Sequence, residues 1–184
     1  MGKLIRISFL TIPLIFLMSC SSEINRERIL FDFESDSELD QIHWECHTLF
    51  FLSDKHASHG KRSLKMELYP SDYPGLTPML KENDWRGFKA LCFDIYNPEE
   101  KQVQISVRID DKKDYPDYKD RYNKSFILNQ GMNQISIPLN SLVTSGKDRN
   151  LNLKNIYRLL IFTASPEKRV VLYIDFIRLT LQLQ

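Results

Sequence analysis

The segment 103–128 alternates between apolar and polar residues in the manner of two β-strands. Every second residue from Val103 to Ile109 is apolar, and the residues between them are polar or charged. After a loop rich in charge and tyrosine, the segment 121–128 alternates in the same way. A period of two residues is typical of a strand with one buried face. The polar residues of these two predicted strands are Gln104, Ser106, Arg108, Asp110, Arg121, Asn123 and Ser125.

If the two strands pair, their polar residues form one face above an apolar underside. Tyr115, Tyr118 and Tyr122 would form a rim around this face. A surface of guanidinium, carboxylate, amide and hydroxyl groups could hydrogen-bond a polyhydroxylated ligand. A solvated strand face produces the same pattern, so the alternation leaves both interpretations open.

Short apolar segments separated by turn residues continue along the chain. We expect a strand at 29–34, one or two strands within 42–53, and further strands at 63–69, 90–96, 134–139, 158–163 and 170–179. The segment 70–78 holds three prolines and a glycine and is predicted to be a loop. One helical turn is expected within 151–157. Strands of this length and spacing, without a long helical period, predict an all-β sandwich of two antiparallel sheets, and 184 residues suit one domain.

The first twenty residues differ in character from the rest. Lys3 and Arg6 precede an apolar stretch, 7–18, that is too short to span a bilayer as a mature helix. With Cys20 directly after it, this segment resembles a bacterial lipoprotein signal. The resemblance implies a signal peptide at 1–19, a lipidated tether at 20–28 and a folded domain at 29–184. An ordinary secretory signal, with Cys20 merely near the cleavage point, is the alternative.

Lipidation of Cys20 would hold the protein at a membrane of the bacterial cell envelope, because each buried CH₂ of the acyl chains contributes about 0.8 kcal/mol. Ser21 after the cysteine favours the outer membrane if the cell is Gram-negative. The remaining cysteines, Cys46 and Cys92, could form a disulfide in an exported domain or remain small buried apolar residues.

The charge balance argues against a nucleic-acid partner. The formal net charge is +1, and a nucleic-acid surface needs a clustered basic excess. The spacing of His43, His47, His56 and His59 does not suit a metal site in segments predicted to be strand and turn. We expect a monomer.

Several short motifs, taken in order, resemble a known family. They are Asp32-Phe33-Glu34, His59-Gly60, Ser63-Leu64-Lys65, Asp84-Trp85-Arg86-Gly87-Phe88, the segment 91–98, Gly131-Met132-Asn133, the segment 135–139 and the segment 173–179. Together they resemble the galactose-binding-like jelly roll of carbohydrate-binding modules, close to family 11 and its relatives, over about 29–179. The resemblance implies a jelly-roll sandwich that binds an oligo- or polysaccharide on a concave sheet.

Within this resemblance, the ligand-binding residues would come from segment 108–123 and from Arg149. Asp111, Tyr118, the run 120–123 and Arg149 resemble a signature of one bacterial branch of these modules. The residues expected to contact glycan are Arg108, Asp110, Tyr118, Arg121 and Asn123. Asp111, Asp120 and Arg149 are expected to orient the loop. The alternative is that the motif is a buried Asp–Arg pair that touches no ligand, since pairing is the usual remedy for buried charge.

The resemblance also implies a structural calcium between the first and last strands. Asp32, Glu34 and Asp175 are the carboxylates at the matching positions. Calcium needs six to eight oxygens, so backbone carbonyls from the Ser58–Ser63 turn would have to contribute. The alternative is that Asp175 accepts hydrogen bonds from backbone amides and that Asp32 is solvated.

No catalytic site is expected. Five aspartates between 110 and 120 could suggest a glycosidase pair, but lysines intersperse them in a loop that is predicted to be solvated. Trp85 could be a platform for a sugar ring, but a core position is favoured. The sequence therefore predicts a lipid-anchored, non-catalytic carbohydrate-binding module. The alternative is an envelope scaffold lipoprotein that uses the same fold for protein–protein contacts.

Overall fold

The computed structural model describes residues 27–181, apart from the side chains of Trp44 and Glu45. Two antiparallel sheets form a sandwich, and helical structure in this part of the chain is limited to three short 3₁₀ helices. The strands are β1 (Glu27–Phe31), β2 (Ile42–Glu45), β3 (Thr48–Ser53), β4 (Ser63–Leu68), β5 (Gly75–Pro78), β6 (Ala90–Asn97), β7 (Val103–Asp110), β8 (Tyr122–Leu128), β9 (Gly131–Pro138), β10 (Arg158–Phe162) and β11 (Val170–Thr180). The 3₁₀ helices are Asp36–Gln41, Tyr118–Asp120 and Leu139–Ser141.

One sheet has the strand order β3-β4-β11-β6-β9, with β1 paired to β11. The other has the order β2-β5-β10-β7-β8. The all-β, two-sheet prediction is therefore confirmed. The predicted pairing of the two alternating segments is confirmed as well, because β7 and β8 run antiparallel with Ile109 opposite Tyr122 and Val103 opposite Leu128.

The apolar sides of both sheets face each other and form the core. Ile105, Val107 and Ile109 of β7 are at most 1% exposed, as is Phe93 of β6. Trp85, which precedes β6, is fully buried in the same cluster. The preference for a core position over an exposed sugar platform is thus confirmed for Trp85.

The segment 70–78 was predicted to be a loop, and that prediction is wrong for its second half. Gly75–Pro78 forms β5 between β2 and β10. A Cβ on Gly75 would lie 2.3 Å from the carbonyl oxygen of Ile161 and 2.6 Å from Cα of Phe162. Glycine is therefore needed there for close strand pairing, which is the opposite of its usual meaning as a turn signal.

Only a single turn, and no helix, forms within 151–157, where a helical turn was predicted: the Asn155 amide donates to the Asn152 carbonyl at 3.0 Å. Leu151 and Ile156 are buried, and the other backbone hydrogen bonds of this segment run to distant parts of the chain. Trp85 N donates to the Leu153 carbonyl at 2.8 Å, and Ile156 N donates to the Asn83 carbonyl at 2.9 Å. Hydrogen bonds to distant segments therefore hold most of this backbone, and the local turn does not continue into a helix.

The folded domain begins earlier than the predicted boundary at residue 29. Glu27 and Arg28 already pair with β11, and Arg28 forms an ion pair with Glu82 at 2.9 Å. The signal peptide, Cys20 and most of the tether lie outside the described residues. Within 27–181, no helix is long and apolar enough to cross a membrane. Cys46 and Cys92 are both free thiols.

Candidate glycan-binding site

The outer face of the five-stranded sheet carries the polar side chains that the alternation predicts. Arg108 of β7 lies opposite Asn123 of β8 on one side and opposite Leu160 of β10 on the other. Residues directly opposite in antiparallel strands share a face, so β10 also contributes to this surface. We call this surface the polar face; it comprises Ser106, Arg108, Asp110, Arg121, Asn123, Ser125 and Arg158.

Asp110 lies at the centre of a buried ion cluster on the polar face. Arg108 donates to its two oxygens at 2.9 and 2.6 Å, and Arg158 donates a third hydrogen bond at 2.5 Å. The Asp110 side chain has no exposed surface, and the two arginine side chains are 13% and 15% exposed. The ring of Tyr115 covers Arg158, with its centroid 4.0 Å from the guanidinium carbon. Asp110 therefore holds the two arginines in place and offers no surface of its own to a ligand.

Arg121 and Asn123 are half-buried groups of the polar face that lie outside the Asp110 cluster. The guanidinium carbon of Arg121 lies 5.8 Å from the centroid of the exposed Tyr118 ring. Asn123 donates from Nδ2 to Ser145 Oγ at 3.3 Å, at the surface. Both side chains are half-buried and neither belongs to the core cluster, so a ligand could reach them from the polar face.

The three tyrosines predicted to rim the polar face do not all lie there. Tyr115 and Tyr118 are 79% and 63% exposed, whereas Tyr122 is 5% exposed and belongs to the core. Tyr122 lies opposite Ile109 in the pairing of β7 with β8, so its side chain is on the apolar side of the sheet. Burial raises the pKa of the Tyr122 hydroxyl to about 12.

Asp111, Asp120 and Arg149 join the loop between β7 and β8 to the segment between β9 and β10. Arg149 binds Asp111 with two parallel hydrogen bonds, at 2.6 and 2.8 Å, and donates from Nε to Asp120 at 2.7 Å. Lys112 and Lys147 also pair with Asp120. Both carboxylates are therefore fully engaged with cations of the protein. This arrangement suits the expected loop-orienting role and leaves these residues no free group for a ligand.

Because of this network, the free energy of unfolding depends on pH in the acidic range. Burial raises the pKa of Asp111, but hydrogen bonds from Arg149 and from the Asn152 amide outweigh it and lower that pKa overall. Hydrogen bonds from Lys112 and Arg149 hold the pKa of Asp120 well below its usual range. A carboxylate whose pKa is lower when folded stabilises the fold above its unfolded pKa of about 3.9 and loses that contribution as pH falls.

We therefore expect the free energy of unfolding to fall as the pH is lowered from about 5 to about 3, and to fall less steeply in an Asp111→Asn variant. Urea unfolding at each pH would measure it. Asp175 contributes the opposite pH dependence: burial raises its pKa, so its contribution to stability is larger at low pH. Equal slopes in the two proteins would show that the Asp111 pair contributes nothing.

An aromatic pair at the far end of the same sheet face was not predicted. Phe162 of β10 lies opposite Ser106, and its ring meets the exposed Tyr73 edge-on, with centroids 5.6 Å apart. Arg158 was not predicted to lie on this face either. The segments that carry Tyr73, Arg158 and Phe162 do not alternate clearly enough to show which side chains point outward. Only the register of β10 with β7 places Arg158 and Phe162 on the polar face.

The carboxylates predicted to bind calcium make other contacts. Both oxygens of Asp175 accept hydrogen bonds from backbone amides: Oδ2 from Ser58 and His59 at 2.7 and 2.9 Å, and Oδ1 from Phe176 at 2.7 Å. A carboxylate has about four lone-pair sites, and these donors occupy most of them. This is the alternative arrangement that the sequence left open for Asp175.

Glu34 and Asp32 are engaged in a similar way. Glu34 Oε1 accepts from the amides of Lys61 and Arg62, each at 2.7 Å, and the Arg62 guanidinium donates to the Glu34 carbonyl. Asp32 Oδ1 accepts from the Glu34 amide at 3.3 Å. No group of three or more His, Cys, Asp or Glu side chains in the described part of the chain could hold a metal ion. As they are arranged, the residues of this site therefore do not fit calcium.

We accordingly expect millimolar CaCl₂, compared with EDTA, to leave the unfolding temperature unchanged. The physical reason is that calcium would first have to displace the amide donors from Asp175 and Glu34. Differential scanning fluorimetry with MgCl₂ as the control cation would measure this. A rise in the unfolding temperature that calcium alone produces would restore the calcium prediction for Asp32, Glu34 and Asp175.

Comparison with solved structures shows where this architecture occurs. A family 11 carbohydrate-binding module from Clostridium thermocellum, in complex with a β-1,3-1,4-mixed-linked tetrasaccharide, matches with a TM-score of 0.64 and 18% identity, over 86% of this chain and 97% of that one. A family 11 module of a cellulosomal cellulase from the same organism matches with a TM-score of 0.62 and 17% identity, over 86% and 96%.

An exo-β-agarase matches with a TM-score of 0.67 and 19% identity, over 85% of this chain but only 25% of the agarase chain. No protein-family model and no curated protein matches the sequence. Likeness at this level of identity establishes the fold, which is the jelly-roll sandwich of these modules. What the polar face binds has to be argued from its own residues.

Proposed function

We propose that this chain is a non-catalytic carbohydrate-binding module, held at the bacterial cell envelope by a lipid on Cys20, and that it binds an oligo- or polysaccharide on the polar face. The observation that carries the proposal is the combination of exposed aromatic rings and open hydrogen-bonding groups on one sheet face. Tyr115 and Tyr118 offer flat apolar surfaces for sugar C–H groups, while Arg121 and Asn123 offer donors and an amide oxygen to hydroxyls.

Support also comes from the similar structures. The sandwich that this chain shares with the family 11 modules covers nearly the whole of those modules. One of them was solved with a bound tetrasaccharide. A non-catalytic role agrees with the state of three of the five aspartates between 110 and 120: Asp110, Asp111 and Asp120 are buried in ion pairs. Glycoside hydrolysis needs two carboxyl groups that face the scissile bond.

Asn123 provides the sharpest test. We expect the full chain in detergent to bind one or more glycans on a polysaccharide array, and Asn123→Ala to weaken that binding about tenfold in calorimetry, since it removes a hydrogen-bonding group. Lys124→Ala is the matched control, because Lys124 is the next residue of β8 but lies opposite Val107, on the parity away from the polar face. Absence of binding to any glycan, or equal loss in both variants, would refute glycan binding on this face. Hydrolysis of a bound glycan would refute the non-catalytic assignment.

The lipid anchor is a separate part of the proposal. It is supported by the signal-like residues that precede Cys20. In a bacterial host, metabolic labelling with an alkyne fatty acid should mark the chain, and Cys20→Ser should abolish the label and release the protein from the membrane fraction. Retention of the label in that variant would exclude Cys20 as the lipidated residue.

A scaffold role is the second candidate, and one observation favours it. The edge strand β3 exposes Leu49 and Phe51, which are 50% and 46% exposed. An unpaired strand edge with apolar side chains can add a strand from another protein. If this is the function, Leu49→Ser and Phe51→Ser should reduce cross-linking to a defined envelope protein, and Asn123→Ala should not.

A further inference from the structure

The polar face holds more positive than negative charge. It carries three guanidinium groups, those of Arg108, Arg121 and Arg158, and one carboxylate, that of Asp110. That carboxylate accepts all three short hydrogen bonds from Arg108 and Arg158. Two cations thus share one fully buried anion, and the cluster keeps a net charge of about +1 before Arg121 is counted.

Arg121 has no partner for its charge. Within the described residues its guanidinium forms no ion pair, and its buried Nε lacks any hydrogen-bond partner. A buried donor without a partner costs free energy, and the cost is greater when the group is charged. Its one aromatic neighbour, Tyr118, lies 5.8 Å away. Arg121 is therefore the group of this face that would gain most from a ligand.

The surroundings of Arg121 add to this effect. Burial lowers the pKa of its guanidinium, and the charges of Arg108 and Arg158 lower it further. Asp110 and Asp117 act against this, but Asp110 is already shared by two arginines. Asp111 and Asp120 are held by Arg149 and two lysines. Asp117 is exposed and acts on Arg121 only as a nearby charge, so within the described residues no carboxylate forms an ion pair with Arg121.

We propose that the glycan bound on the polar face is acidic, and that Arg121 receives its carboxylate or sulfate group. This inference rests on the proposed glycan-binding function and names the class of ligand. A planar guanidinium matches the two oxygens of a carboxylate or sulfate and binds them with paired hydrogen bonds. A neutral sugar would leave the Arg121 charge uncompensated while covering it. Tyr118 beside Arg121 would pack against the ring of the same acidic residue.

The test compares ligands that differ only in charge. The full chain in detergent is titrated with tetragalacturonate, with its methyl ester, and with a neutral and a sulfated galactan oligosaccharide of equal length. We expect the acid to bind at least about tenfold more tightly than its ester. Its affinity should also fall as salt rises from about 50 to about 500 mM. Preference for the uronate or for the sulfated oligosaccharide identifies which anionic group is recognised.

Variants then assign the preference to Arg121. Arg121→Gln should abolish the difference between acid and ester while leaving ester binding in place. Arg121→Lys, which keeps the charge but lacks the planar fork, should retain part of the difference, and Lys124→Gln should retain all of it. Circular dichroism and the unfolding temperature verify that each variant is folded.

The outcomes separate the two proposals. If the acid binds no better than its ester and the sulfated galactan binds no better than the neutral one, the acidic-ligand inference is overturned and the glycan-binding function stands. If no glycan binds at all, both are overturned.

Discussion

Replacing Trp85 with alanine is expected to lower the free energy of unfolding by about 3–5 kcal/mol, the usual cost of deleting a large buried aromatic side chain. The indole is fully buried, and the Trp85 amide bonds to the Leu153 carbonyl at 2.8 Å, so the site cannot collapse freely into the space. For a domain of this size the unfolding temperature should fall by about 2–4 °C for each kcal/mol lost. Urea unfolding followed by circular dichroism would measure both quantities.

Trp85→Phe is the matched control for this change. The indole N–H has no hydrogen-bond partner within the described chain, so phenylalanine keeps most of the buried ring and removes an unsatisfied donor. We expect it to cost less than about 2 kcal/mol and to bind glycan like the parent protein. A glycan-binding defect in a stable Trp85→Phe protein would return Trp85 to the role of sugar platform.

Replacing Arg149 with methionine is expected to lower the free energy of unfolding by about 2–3 kcal/mol, because it leaves the Asp111 carboxylate buried without its charge partner. That carboxylate is 3% exposed and receives two hydrogen bonds from Arg149. The Arg149 side chain is 31% exposed, so part of the loss is relieved by water. The same change should reduce glycan affinity, since Arg149 orders the loop that carries Tyr115 and Tyr118.

Arg86→Met is the control for Arg149→Met. Arg86 also pairs with an aspartate, Asp84, at 2.6 Å, but both side chains are exposed, by 60% and 45%. Exposed ion pairs contribute little to stability, so this variant should unfold like the parent. A comparable loss in both variants would mean that burial of the Asp111–Arg149 pair has no special effect.

Alternation along the chain was enough to predict the strands that border the polar face. The period of two is strong in β7, where each apolar residue contacts the core and each polar one faces outward. It fails for β5, because a strand of four residues with glycine at one end and proline at the other carries the residues of a turn. Only the approach of Phe162 to Gly75 explains that glycine, and a contact between residues so far apart in the chain is not visible in local sequence.

The sequence predicted which residues form the candidate site, but not which of their side chains are buried in ion pairs. Arg108, Asp110, Arg121 and Asn123 share a face, as their parity indicates. That Asp110 would be buried between two arginines depends on Arg158, which reaches it from β10. The sequence could not indicate which strand lies beside β7. It therefore could not separate the arginines that pair with a carboxylate of the protein from Arg121, which does not.

The bonds between Arg149, Asp111 and Asp120 have a consequence for how a ligand would be captured. They join the loop between β7 and β8 to the segment between β9 and β10 through contacts within the protein, so Tyr115 and Tyr118 are positioned in advance. A rim that is ordered beforehand spares the entropy that folding a loose loop around a sugar would consume. Association would then be a single encounter step whose rate rises in proportion to glycan concentration, with no slower closure following it.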